Sequence, residues 1–165
     1  MARSARRITL VTGSVIMAAT VVAGCGSGAA SGSDKRLGDR GPCDLVTPAE
    51  LEDLVGARYG SGEAEGPQCS FSPVETLGSP HVTIGAGISL TADTANVELS
   101  DTEVRGIAAT AMRTKPRGTS CMVEVALVPS DEAQTFNADV GGVTDGAPCR
   151  LAERVAGHIL DTLPG

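Results

Sequence analysis

The sequence predicts an α+β fold, a short antiparallel sheet with one helix before it and one after it, stapled by two disulfides. Three observations carry this. A capping-box motif opens an amphipathic segment at residue 47; apolar residues alternate with polar ones in several segments between 68 and 140; and apolar residues recur every four positions from 151 to 163. Helices confined to the ends of a run of strands pack on one face of the sheet those strands form. At 165 residues the length suits one domain.

Taken in order, the chain begins with the three parts of an export signal over residues 1–24. Arg3, Arg6 and Arg7 precede a mostly apolar run over 8–22, which ends at small Ala23 and Gly24. That run is shorter than the roughly 20 residues that span a bilayer as a helix. Val22-Ala23-Gly24-Cys25 is similar to a bacterial lipobox, in which the cysteine takes a thioether-linked diacylglycerol and becomes the new N-terminus. Residues 25–42 are Gly, Ser, Ala and charge with Leu37 as the only large aliphatic side chain, so they read as the lipidated N-terminus and a flexible tether.

The domain is expected over 43–165. Thr47, Pro48 and Glu50 form the capping box, Leu51, Leu54 and Val55 share one helical face, and Gly56 supplies the stop. Residues 57–67 read as loop, with Glu63 and Glu65 solvated, and 68–72 as a short strand. In 81–90, Val82, Ile84, Ala86 and Ile88 alternate with small polar residues. Residues 102–113 read as one strand bent or bulged at Gly106, and 116–118 as a turn. Residues 120–129 have the composition of a central strand, with Cys121, Val123, Val125 and Leu127 on one side. Phe136, Ala138 and Val140 alternate with Thr135, Asn137 and Asp139 in another. Leu151, Val155, Ile159 and Leu163, with Ala152 and Ala156 beside them, make the last segment an amphipathic helix.

Five cysteines are an odd number for an exported chain. Lipid on Cys25 leaves Cys43, Cys69, Cys121 and Cys149, spaced too widely for a zinc site, with the only two histidines, His81 and His158, far apart, so disulfides are the better reading. Of the three possible connectivities, Cys43 with Cys69 and Cys121 with Cys149 is favoured, because each bridge then ties a helix start to a strand. Each would add about 3 kcal/mol by loop closure.

Net charge and composition exclude some partners. Three of thirteen basic residues and none of the twenty acidic ones precede Cys25, so a chain starting there has ten basic and twenty acidic side chains, net −10. That charge, with only 2% aromatic residues, opposes binding to nucleic acid. No nucleophile elbow, S-x-x-K, P-loop, dinucleotide fingerprint or H-E-x-x-H motif occurs, and no cofactor or metal is implied. His158 and His81 read as structural. Asp93, Glu98, Asp101 and Glu103 lack the spacing of a calcium loop and read as a solvated acidic edge.

The order of lipobox, Gly/Ser tether, "PCDLVTPAELEDLVG", "QCSFS", "VRGIAATAM", "SCMVEVAL" and "APCRLAERVAGHILDTLP" resembles a family of actinobacterial secreted lipoproteins classed as a domain of unknown function. Members usually carry Trp where this chain has Phe71. The resemblance implies an envelope lipoprotein with two disulfides and supplies no catalytic residues. The expectation is thus a domain on the outer face of the cytoplasmic membrane, held by lipid on Cys25, that binds an envelope protein or small molecule without catalysis. The alternatives are a carrier of apolar envelope molecules, which needs an apolar cavity, and a cell-envelope hydrolase, which needs carboxylates converging in a cleft.

Overall fold

The computed structural model describes residues 33–75, 78–87, 95–115, 118–143 and 147–165. The signal segment, Cys25, the tether as far as residue 32, Ile88, Asp93, part of the turn expected at 116–118 and residues 144–146 lie outside them.

The first helix, α1, runs Pro48–Val55. Its start is closed reciprocally: the Glu50 N–H donates to Thr47 Oγ1 at 3.3 Å, while the Thr47 N–H and hydroxyl both donate to Glu50 Oε2 at 2.7 Å. Those two bonds, with His158 as a lesser contributor, hold the Glu50 carboxyl below its ordinary range. Gly56 ends the helix at φ 85°, a left-handed conformation that only glycine adopts without strain, and its N–H reaches the Glu52 carbonyl. Leu51 is completely buried by this arrangement.

Seven strands follow: β1 Glu63–Glu65, β2 Gln68–Phe71, β3 His81–Ala86, β4 Val97–Val104, β5 Ile107–Thr114, β6 Cys121–Ala126 and β7 Thr135–Gly141. They form one antiparallel sheet in the order β1-β2-β3-β7-β6-β5-β4, so the last strand of the sequence occupies its centre. The final helix, α2, runs Pro148–Thr162 and lies across β7 and β6. Val82, Ile84, Val123, Val125, Phe136, Ala138 and Val140 meet Ala152, Val155, Ala156, Ile159 and Leu160 in a single core. Burying each large aliphatic or aromatic side chain contributes about 1.5–3 kcal/mol. Bonds Cys43–Cys69 and Cys121–Cys149 are both present, closing separations of 26 and 28 residues, for which loop closure contributes about 3.5 kcal/mol each.

Three sequence expectations need correction. The segment 102–113 is a complete hairpin, Val104 opposite Ile107, because Arg105 and Gly106 both have positive φ, 54° and 78°. Two consecutive left-handed residues are the signature of a two-residue turn that matches strand twist, where one alone would have given a bulge. Second, the loop at 57–67 contains β1, which pairs with β2, and Tyr59 bridges to Pro73. The strand expected around Phe136 is present as β7 and is buried on both sides, Thr135 and Asn137 on the face away from α2 being 3% and 1% exposed. Alternating polarity signals one wet face only when the strand is not central.

The third correction concerns the tether. Residues 33–42 are docked on the domain: Leu37 is 3% exposed within the core cluster, and its N–H donates to Gln134 Oε1 at 3.0 Å. The Ser33 N–H donates to the Leu127 carbonyl, the Arg36 N–H to that of Pro164, and the Lys35 ammonium to that of Leu163. Composition misjudged this segment because one leucine among polar residues finds a core only in three dimensions. A domain beginning at Cys43 is therefore expected to be about 2–4 kcal/mol less stable than one beginning at Ser33, from lost burial and hydrogen bonds, measured by urea unfolding.

Tyr59, the only tyrosine in the chain, is 7% exposed and donates its hydroxyl to the Pro80 carbonyl at 2.8 Å. Burial pushes its pKa up to about 12. A raised phenol pKa stabilises the fold fully below the unfolded value near 10 and progressively less between 10 and 12. Absorbance titration of phenolate, free of tryptophan background, is expected to place the transition near 12 in the native protein and near 10 in denaturant.

Candidate functional site

An open groove of about 830 Å³ lies between α1, the outer side of α2 and the β4–β5 turn. Leu54 and Leu151 give it apolar wall, Arg105, Arg150 and Arg154 give it cations, and His158 adds an imidazole. Its framework is set by three polar contacts that cross between elements. His158 Nε2 sits 3.1 Å from Glu50 Oε1, joining α2 to α1; the approach lies off the line of a good hydrogen bond, so the contact is electrostatic. Arg105 grips Asp161 with Nε and an Nη at 3.2 and 2.8 Å, joining the β4–β5 turn to α2. The Thr102 hydroxyl donates to Glu153 at 3.1 Å.

Arg105 is locally unfavourable where it stands. It is the only non-glycine residue with positive φ among the described residues, in the first position of a turn that prefers Asn or Asp before Gly. Its guanidinium reaches over Gly157, a helix-interior glycine that contributes no side chain to the groove floor. Both residues run against the intrinsic preference of their elements, and both line the same groove.

Most acids of this region are occupied: Asp161 by Arg105, Glu50 by Thr47 and His158, Glu153 by Thr102; Glu103, also on the groove wall, is exposed on β4. Arg150 and Arg154, one helical turn apart on α2, are exposed and carry no side-chain hydrogen bond or ion pair among the described residues. The groove thus offers two uncommitted guanidinium groups beside apolar wall, a surface suited to holding an anionic group by forked hydrogen bonds.

Of the cysteines, histidines and acids singled out in the sequence, His158 and Glu103 line the groove and the others do not. Cys43, Cys69, Cys121 and Cys149 are oxidised in pairs and offer no thiol. Glu98 and Asp101 are exposed on opposite faces of edge strand β4, while Asp101 and Glu103 share one face; Asp93 is outside the described residues. Glu63 and Glu65 are exposed on the other edge strand. His81 lies across Gly141, which leaves room for the ring, and weakly counters the burial that raises the Asp139 carboxyl. Among the described residues no three His, Cys, Asp or Glu side chains are grouped to hold a metal ion. A second depression of about 260 Å³, near Thr110, Glu124 and Pro129, is likewise open and partly polar. Sequence reading passed over Arg105, Arg150 and Arg154. The available signal was the spacing of 150 and 154, one turn apart and off the apolar stripe.

Residues 20–162 match the model of a protein family of unknown function, DUF3558. The chain belongs to that family. No curated protein and no solved structure matches it. The match takes in every element of this DUF3558 domain except the last residues after α2, together with the docked segment and Cys25. The two disulfides are consistent with an extracytoplasmic location, and among the described residues no helix is long and apolar enough to cross a membrane.

If Arg105 serves the groove rather than the fold, Arg105→Asn is expected to leave the thermal midpoint unchanged or raise it. Asn suits the turn better, and an ion pair with partners 61% and 55% exposed contributes no more than about 1 kcal/mol. A scanning-calorimetry midpoint lowered by more than a few degrees would assign Arg105 to the fold instead.

Proposed function

We propose that this DUF3558 protein is a lipoprotein anchored on the outer face of the cytoplasmic membrane through acyl chains on Cys25, and that its domain is a non-enzymatic binding module. The observation that carries the binding role is the α1–α2 groove. Asp161 and Glu153 are tied into contacts that join secondary-structure elements and Glu103 is exposed on its wall, whereas Arg150 and Arg154 are left free beside Leu54 and Leu151. Such a surface contacts a partner through charge-assisted hydrogen bonds at the rim and apolar contact between them. Where a hydroxyl, a carboxylate and an imidazole do meet, at Thr47, Glu50 and His158, the hydroxyl and carboxylate are the two halves of the α1 capping box, which supports a structural use of that contact.

The anchoring role is supported by the lipobox-like Val22-Ala23-Gly24-Cys25, by the family match that begins at residue 20, upstream of the cysteine, and by oxidation of the other four cysteines. Several acyl chains on one terminus hold a protein firmly, since each buried CH₂ adds about 0.8 kcal/mol.

Two measurements test the two halves. Intact-mass analysis of the membrane-extracted protein is expected to show a chain starting at Cys25 with diacylglyceryl mass, and Cys25→Ala is expected to move the protein out of the membrane fraction. For the domain, a photo-crosslinking residue at Arg154 is expected to capture an envelope component, and the same probe at Glu132, outside the groove, is not. Equal capture at both positions would reject the groove as the contact surface.

A further inference from the structure

The lipid reading leaves open how the domain stands on the membrane, and the docked segment 33–42 constrains it. That segment is attached at one end of the molecule. Its partners are Leu127, just after β6, Gln134, just before β7, and Leu163 and Pro164, just after α2. The Arg105–Gly106 turn is at the same end, because β5 leaves it antiparallel to the incoming β6. The start of α2, bonded through Cys149 to Cys121, and the turn after Thr114 lie at the opposite end. Along α2 the two ends are separated by about 22 Å, at 1.5 Å for each of 15 residues.

From Cys25 to Ser33 there are eight Cα–Cα steps, which reach at most about 29 Å. Were the chain free as far as Cys43, eighteen steps would reach about 65 Å, and attachment would fall beside β2, away from either end of α2. From this we infer that residues 33–42 are a strap that turns one end of the domain, the end formed by Leu127, Gln134 and Pro164, toward the lipid surface. The inference deepens the anchoring proposed above and rests on attachment at Cys25. The strap makes this a property of the fold: Leu37 is seated in the core cluster, and four hydrogen bonds run from the segment to that one end. The net charge of −10 gives the domain no competing attraction to anionic headgroups. The α1–α2 groove then runs along α2 away from the bilayer, its Arg105–Asp161 end near the lipid and its Arg150 end outward.

Cys25 is the one cysteine of five outside a disulfide, which makes the test independent of acylation in cells. Unacylated chain starting at Cys25 is coupled through that thiol to maleimide headgroups in phosphatidylcholine vesicles. A fluorescent amino acid replaces exposed Ser130, at the strap end, or exposed Lys115, at the other. Energy transfer to labelled headgroups is expected to place position 130 nearer the bilayer than position 115 by about 20 Å, the length of α2. Inserting ten Gly/Ser residues after Gly32, outside the strap, is expected to increase both distances and shrink their difference. Leu37→Asp is expected to abolish the difference while far-UV circular dichroism stays native. Equal distances in the unmodified chain, position 115 nearer, distances unmoved by the insertion, or a difference that survives in folded Leu37→Asp would each overturn the strap. Absence of lipid on Cys25 in the mass measurement would instead reject the anchoring reading, so the two failures are separable.

Discussion

The packing of α2 onto β7 and β6 is the contact on which the rest of the structure depends. Phe136, Ala138 and Val140 from the central strand, and Val123 and Val125 beside them, are all fully buried beneath Ala152, Val155, Ala156 and Ile159. With two phenylalanines and no tryptophan in the chain, this core is assembled from small and aliphatic side chains that bury little area each. It works because β7 is enclosed on both faces and the disulfides restrict the unfolded chain at two points. Cys121–Cys149 acts on that contact directly, joining the first residue of β6 to the first turn of α2.

The groove and the strap are both consequences of that packing. Once the inner face of α2 is committed to the sheet, its outer face meets α1 on one side and the β4–β5 turn on the other. Glu50, Arg105 and Thr102 then reach His158, Asp161 and Glu153 across those gaps. The end of α2 also leaves Leu163 and Pro164 carbonyls beside Leu127 and Gln134, which is the seat that the strap occupies. The groove and the seat of the docked segment are thus organised by one helix, at different points along its length.

Much of the fold was legible because it is written locally. The α1 capping box, the α2 stripe and the alternation around Val123 and Val125 each depend on residues within a few positions of one another. The hairpin at Arg105–Gly106 was misread because an arginine took the place of the Asn or Asp that marks such turns, and the reason for it lies 56 residues away at Asp161. Of the groove residues, the sequence marks His158 only as a structural histidine and Glu103 only as part of an acidic edge, and it does not mark Arg150 or Arg154. A solvated arginine and an arginine on a groove wall have the same sequence, and α1 and β4 make the difference.

By itself the sequence determined the two helices, the period of most strands, the number of cysteines left to pair and the lipobox-like address at Cys25, because each is a matter of spacing or composition along the chain. The tertiary structure decided that β7 is central, that Leu37 belongs to the core and that Arg105 reaches Asp161. These are encounters between residues far apart in the chain, and their free energy exists only after the sheet has closed around its last strand.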